Sequence, residues 1–479
     1  MPPFPIQDVR FVRTALLVSA AAASLSACAA VPKLGDAPLP KPAASYATAE
    51  TFAAPKAAWP SDAWWRSYGD AQLNGLIDEA LAGSPTLEIA QARVRRAEAM
   101  AEQAGATLAP QAGVAAAAGY AKQSYNNGIP KAFAPNGWND VGQAGVNLSW
   151  DLDLFGRNRA LLAAATSQAE AAKADAAAAR LMLSTSVAGA YANLAQLHAD
   201  RDAAQDAVRV RADSEKLIGE RAGQGLETRA AVERAHAGRA AAESELKALD
   251  EAIDLTQNAL AALLGQGPDR GRTIGRPVPD AIRAFGLPEN VQADLIGRRP
   301  DVAAARLTAE AAGGRVKVAK ADFYPNVNLS AVVGVQSLGL DMLTKSGSSM
   351  GSIGPAVSLP IFSGGRLEGA YRGARADYDT AVAAYDETLT QALREVADAA
   401  VSSRALEGRL AKAREAMDAA ETAYGLTKAR YVQGLGTYLD VLSAEDALIQ
   451  TRRAVADLES RAFTLDIALI RALGGGYRA

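Results

Sequence analysis

Cysteine occurs once in the 479 residues, as Cys28, and histidine twice, as His198 and His236. A single thiol excludes an internal disulfide framework and a CxxC metal site. The two histidines lie far outside the i, i+4 spacing that sets two metal ligands on one helix face, so they read as partly exposed helix residues. No Ser-His-Asp set, P-loop or metal motif is present, and the many Asp and Glu lie on solvated helix faces. An enzyme is therefore disfavoured, and no cofactor is expected. The formal net charge is only −3, with no basic stripe mixed with aromatics, which argues against a nucleic-acid partner. Beyond the N-terminal segment no run of 18 or more apolar residues occurs, so no transmembrane helix is expected. Aromatics make up 6% of the chain, and Ala dominates the 49% that is hydrophobic. That balance suits long, closely packed helices better than a thick globular core.

What is present begins with an address. Arg10 and Arg13 precede an apolar run from Thr14 to Leu25 that is too short to span a bilayer and ends in small residues. This is the layout of a secretory signal peptide, so residues 1–27 are expected to be removed. The cut region Leu25-Ser26-Ala27-Cys28 resembles a bacterial lipobox, in which the Cys thiol is lipidated and becomes the new N-terminus. The alternative is ordinary cleavage nearby, with Cys28 incidental. Several acyl chains would tether Cys28 stably to a membrane surface. Residues 28–60, rich in Pro, Ala and Lys, read as a lipid-anchored extended arm.

The remainder divides into two copies. Gln224-Gly225-Leu226-Glu227-Thr228 returns as Gln433-Gly434-Leu435-Gly436-Thr437, and the same offset pairs Arg157 with Arg366, Val232 with Val441 and Leu264-Gly265 with Leu473-Gly474. An offset held by the rarer residue types is a sign of internal duplication. The first repeat is expected at 61–265, with a strand pair at about 111–154 and a helical hairpin at 157–265. A linker follows at 266–299. The second repeat is expected at 300–474, with strands at about 326–362 and a hairpin at 366–473, before a tail at 475–479.

Val146, Leu148, Trp150 and Leu152 alternate with polar residues, as do Val327 to Val335 and Ile353, Pro355, Val357, Leu359 and Ile361. A fourth stretch, near Gln111–Tyr120, is Ala-rich and fainter. Each has about the 9–11 residues that cross a bilayer as a tilted strand. A pair of ordinary soluble hairpins is the competing reading. Four strands cannot close a barrel, and open sheet edges are prohibitively costly in lipid, so strands in a membrane would require several chains to share one barrel.

Between Arg157 and about Arg221, and again between Arg366 and about Tyr431, there is no proline. About 65 residues at 1.5 Å each make a rod of roughly 100 Å. In the second copy Leu389, Val396, Ser403, Leu410, Met417, Tyr424 and Tyr431 recur every seven residues, and Ala399, Leu406, Ala413 and Ala420 form a second row. That period implies left-handed supercoiled packing. In the first copy Arg180 and Arg201 break the row, so that helix either presents a different face or is packed on both sides.

In this order, Trp64-Trp65 with Gly69-Asp70, Asp153-Leu154-Phe155-Gly156-Arg157, Arg298-Arg299-Pro300-Asp301-Val302, Phe323-Tyr324-Pro325, Pro360 to Arg366, Arg394 to Asp398 and Ala472 to Gly476 resemble the motifs of TolC-type outer-membrane efflux channels, in their NodT-type lipoprotein branch. The resemblance covers essentially the whole mature chain. It implies an α+β membrane protein working as a homotrimer. A long α-helical barrel would be continued by a shared 12-stranded transmembrane β-barrel, with a mixed equatorial region. It further implies a lipid-anchored place in the outer membrane of a Gram-negative envelope. The implied partners are a periplasmic adaptor and an inner-membrane transporter of RND type, passing small toxic solutes. A duct for type I-like protein secretion has the same architecture and is the runner-up. A periplasmic coiled-coil scaffold is a third reading, but it leaves the paired strands unexplained.

The turns at Gly225, Gly434, Gly436 and Thr437 are expected to be hairpin tips. In the family the tips form the closed periplasmic entrance. The matching gate positions here are Leu439, Asp440 and Ser443, with Ser443 standing where many relatives carry Asp. Three copies of Asp440 would make a ring of like charge favouring cations. Thr437 and Asp440 equally fit a helix capping box, which needs no gating role. The first copy has Ala230 and Ala231 at the positions of Leu439 and Asp440, which favours the second tip as the constriction and the first as an outer, adaptor-contacting tip.

Overall fold

The computed structural model describes residues 31–124, 126, 131–278 and 285–478, in two compact units. The expected signal peptide at 1–27 and Cys28 lie outside the described residues. Eight α-helices and four strands are present among the described residues. The helices are α1 (Ala71–Gly83), α2 (Pro85–Ala106), α3 (Arg157–Gly223), α4 (Arg229–Leu263), α5 (Val291–Arg298), α6 (Pro300–Ala321), α7 (Arg366–Val432) and α8 (Tyr438–Ala472). The strands are β1 (Gln111–Lys122), β2 (Trp138–Asp151), β3 (Asn326–Leu338) and β4 (Ser349–Ser358). Helix lengths repeat between the two halves of the chain: 22 residues in α2 and α6, 67 in α3 and α7, 35 in α4 and α8.

The first unit contains residues 95–171 and 306–384 and carries the sheet. Its strands pair antiparallel in the order β1-β2-β3-β4. The register sets Val114 opposite Val146, Val146 opposite Val333, and Leu329 opposite Pro355. Alternation then places Val114, Val146, Leu148, Val333 and Ile353 on one face, all exposed in the single chain. The opposite face carries Gln143, Asn147, Ser149, Asn328 and Ser352. Leu359 and Ile361 continue the alternation by sequence but lie beyond β4, which ends at Ser358. Pro360 has no N–H to donate to a ladder, and Gly364 and Gly365 follow with positive φ.

Asp153 starts α3. Its carboxylate accepts from the Asn158 and Arg159 amides at 2.8 and 3.0 Å and from Arg159 Nε at 3.0 Å. This satisfies first-turn amides and places a negative charge at the positive end of the helix. Arg157 Nε donates to Asp322 at 2.6 Å, and Phe155 stacks on Tyr324 at 5.0 Å. Two sequence motifs are thereby joined at the foot of the sheet.

The second unit contains residues 40–94, 172–305 and 385–479. Its main core packs Trp64, Trp65, Tyr68 and α1 against Leu183, Val187 and Tyr191 of α3 and Phe463, Ile467 and Ile470 of α8. Asp70 caps α1 by accepting from the Gln72 and Leu73 amides, and it also receives the Tyr191 hydroxyl at 2.6 Å. Arg299, almost fully buried, donates to Asp301, to Glu395 and to the Ala472 carbonyl. The segment expected as a linker at 266–299 includes α5, which packs Val291 and Leu295 against α7 and α8. The glycine tail threads a tight path. A Cβ on Gly474 would stand 2.0 Å from the Arg298 carbonyl, and one on Gly476 would stand 2.3 Å from Ser61.

The long helices differ in what covers them. From Ser403 to Tyr431, α7 is covered at Ser403, Leu406, Leu410, Ala413, Met417, Ala420, Tyr424, Thr427 and Tyr431, in steps of three and four. Either side of that stripe is open, and Leu426 is 64% exposed. α7 meets α8 through Arg414 with Glu459 and Glu421 with Arg452. α3 instead touches two partners. Arg201 bonds Asp250 of α4 at 2.7 Å, and Ser214 bonds Glu445 of α8 at 2.7 Å. Packing on both sides explains why a single heptad row fails in the first copy. Arg201 breaks the row because an ion pair occupies its place.

Candidate functional site at the hairpin tips

Both tips close with the same backbone device. The Leu226 amide donates to the Arg221 carbonyl at 2.9 Å, and the Leu435 amide to the Arg430 carbonyl at 2.8 Å. Gly225 and Gly434 both have φ of 75°, so each turn is a Schellman motif with glycine at its left-handed position. Gly436 is outside the left-handed region and occupies the place of Glu227 in the first tip. Its role is not the reversal itself.

The caps that restart the helices are unequal. Thr228 accepts from the Ala231 amide at 3.2 Å and has no acidic counterpart. At the second tip the box is complete. Thr437 Oγ1 accepts from the Asp440 amide at 3.3 Å, and Asp440 Oδ2 accepts from the Thr437 amide at 2.9 Å and its hydroxyl at 2.7 Å. Those bonds from Thr437 hold the Asp440 carboxyl below its ordinary range. Leu439, Asp440 and Ser443 all face outward, and Leu439 is 59% exposed. Leu439 and Ser443 share a face at i, i+4, as do Asp440 and Ser443 at i, i+3.

Beneath this surface the two tips are fastened to each other. Tyr431, Tyr438 and Val441 pack on Ile218, Ala231 and Ala235. The Tyr431 hydroxyl donates to Glu227 at 2.6 Å, while Arg221 lies 4.6 Å over the Tyr431 ring. Burial and the Glu227 contact push the Tyr431 hydroxyl pKa upward. Two turns along α8, Glu445 is completely buried. Ser214 donates to its Oε2, and Arg211 Nε lies 2.9 Å from Oε1 at an angle unsuited to a hydrogen bond. Arg211 also contacts Asp446. Burial raises the Glu445 pKa, against the pull of Ser214 and Arg211. Glu445 lies in the covered row of Val441 and Leu448, and an acid in such a row is the sequence signal that marks it.

His198 and His236 do not converge. His236 Nδ1 lies 2.9 Å from Glu215, and His198 Nε2 is buried without a bond. Among the described residues no cluster of His, Cys, Asp or Glu has metal-binding geometry.

Comparison with known proteins agrees with this architecture. The chain matches the family described as Outer membrane efflux protein over residues 76–266 and 292–475. Fusaric acid resistance protein FusA of Burkholderia cepacia is 38% identical over 318 residues, a match covering 65% of this chain and 59% of FusA. Multidrug resistance outer membrane protein MdtP of Escherichia coli (strain K12) is 30% identical over 429 residues, 88% of each chain. Among solved structures, the outer membrane protein VceC of Vibrio cholerae aligns with a TM-score of 0.83 at 48% identity, covering 88% of this chain and 100% of VceC. The chain belongs to the outer membrane efflux protein family. Its function is that of an outer-membrane efflux channel.

Proposed function

We propose that three copies of this chain form the outer-membrane exit duct of a tripartite pump. Each copy would contribute β1–β4 to one 12-stranded barrel and the long helices to a barrel crossing the periplasm. The carrying observation is a four-stranded sheet with one apolar face and two open edges, which lipid does not tolerate unpaired. The apolar face has aromatics at both ends: Tyr120 and Trp138 at one, Trp150 at the other. Trp138 and Trp150 lie twelve residues apart on β2, which at ~3.4 Å per residue and ~40° tilt separates them by about 30 Å along the barrel axis, close to the height of a lipid-facing band with its girdles.

The open sides of α4 and α7 supply the surfaces along which neighbouring copies would meet. A lipidated Cys28 fits this arrangement. Gly35, whose carbonyl receives Arg375 near the start of α7, lies seven positions beyond Cys28, and that span reaches at most about 25 Å. The names of FusA and MdtP concern small toxic molecules, and we assign this chain the same broad cargo rather than secreted polypeptide. The docking partners are a periplasmic adaptor and an inner-membrane transporter, which we take to be of RND type. Leu439, Asp440 and Ser443 form the constriction at the periplasmic entrance, with the first tip outside it.

Unboiled outer-membrane fractions should show a heat-modifiable trimer band. A deletion strain should become more susceptible to several drugs and recover on complementation. A monomer-only band with unchanged susceptibility would overturn the proposal.

A further inference from the structure

We propose that Glu445 is a positioning residue of the entrance, seating the gate turn of α8 on α3, and that opening the entrance releases the proton Glu445 binds, so that acid keeps the channel shut. The proposal rests on the assignment of Leu439, Asp440 and Ser443 to the constriction. At about 100° per residue, Glu445 points about 120° to 160° away from those three round α8. The gate residues are exposed and Glu445 is completely buried, so they occupy opposite sides of one helix. α3 stands behind the buried side, where Ser214 donates to Glu445 Oε2 at 2.7 Å. With α3 at its back, α8 cannot withdraw its gate face in a straight line. It has to turn or slide, and either motion lifts Glu445 from its seat.

The seat discriminates between the two charge states of this acid. Arg211 Nε of α3 lies 2.9 Å from Oε1, but Arg211 is shared with Asp446 of α8. Lys428 of α7 adds a second positive field, and Asp446 opposes both. Arg234 of α4 acts on Tyr438, two turns earlier on α8. Glu215, beside Ser214, is taken up by His236 and Arg239. Together these cations do not offset burial, which raises the Glu445 pKa in the seated form. Opening admits water and returns Glu445 toward its ordinary affinity, so the shut form binds the proton more tightly than the open form. As pH falls from 7 toward 4.5 the shut form therefore gains, and the gain is lost as pH rises through the raised value. Three copies around one entrance add their protons, which steepens the response.

The test reads the open probability of purified trimers in planar bilayers between pH 7 and 4.5. The wild type should fall several-fold on acidification. Glu445→Gln carries no titrating proton and should stay at a low open probability throughout. Glu445→Asp should restore the fall. Ser214→Ala removes a donor that favours the charged form and should move the midpoint of the fall to higher pH. A merely structural contact would leave that midpoint in place, and Ser214→Ala carries the test if Glu445→Gln fails to assemble. In an Asp440→Asn background, which silences the gate ring, the contrast between the native acid and Glu445→Gln should persist. An equal fall with and without Glu445→Gln, or a midpoint unmoved by Ser214→Ala, overturns the proposal. Trimers that conduct at no pH in any variant would overturn the channel reading itself, and the proposal with it.

Discussion

The hairpins α3–α4 and α7–α8 have equal helix lengths and the same Schellman turn, yet they are dressed differently. α3 is gripped between α4 and α8, while from Ser403 to Tyr431 α7 is covered along one narrow stripe and open on either side. Duplication thus fixed the backbone twice, and side chains then divided the work. In the first hairpin α3 is the gripped helix and α4 the open one. In the second α8 is the buried helix and α7 the open one, and the second tip carries the more elaborate cap. The same division appears at the tips, where Ala230 and Ala231 stand opposite Leu439 and Asp440.

The largest effect should come from the grip on α3. Arg211→Ala leaves Glu445 buried without its cation and should destabilise the protein by about 3 kcal/mol. Arg414→Ala, which removes an exposed pair on α7, should cost under about 0.5 kcal/mol. Denaturant melts of the two purified variants check this, and equal losses would erase the distinction between the helices. Next, Leu439→Ala with Asp440→Ala should raise single-channel conductance in planar bilayers several-fold. Arg229→Ala at the first tip should leave it unchanged. Unaltered conductance in the double variant would remove the gate from the second tip.

A smaller difference separates the caps. Thr437→Ala should cost about 1 kcal/mol, and Thr228→Ala about half of that, because only the former breaks a reciprocal pair. The same melts report it. Acid should separate Asp440 from Glu445. Asp440 titrates below its ordinary 3.8, so its contribution is present above that value and is lost as pH falls through the lowered one. Glu445 titrates above its ordinary 4.5, so its neutral form is the favoured one. The contribution is full below 4.5 and is lost as pH rises through the raised value. Between pH 7 and 4.5 the wild type should gain stability relative to Glu445→Gln, and parallel profiles would contradict the raised value. Least of all, Ser443→Asp should add a modest cation preference, read as a shifted reversal potential in a KCl gradient.

How far the chain could be read depended on range. The Thr437–Asp440 box is written within four residues, and its partners are where local chemistry puts them. The proline-free runs and the Gly225 and Gly434 stops are equally local. β2 and β3 carry large apolar residues at alternate positions and stand out. β1 does not, because Ala and Gly offer little contrast between faces, and only its pairing with β2 assigns Val114 and Tyr120 to a side. The contacts of Arg211 with Glu445 and of Tyr431 with Glu227 join residues from different halves of the chain. Nothing in either neighbourhood names the other partner. Arg201 shows the same limit: it spoils a heptad by sequence and is explained by Asp250 on another helix.

The matched helix lengths make each copy a ruler for the other. One residue inserted into α7 between Ser403 and Tyr431 would advance its tip by about 1.5 Å and rotate it by about 100°. Tyr431 would then swing away from Glu227, although neither residue had changed. Such an insertion also shifts α7 against α8, where Glu421 pairs with Arg452, so the tips can change their reach only when the helices of both hairpins are edited together. Inherited changes in the reach of this channel should come as paired edits to both halves of the chain.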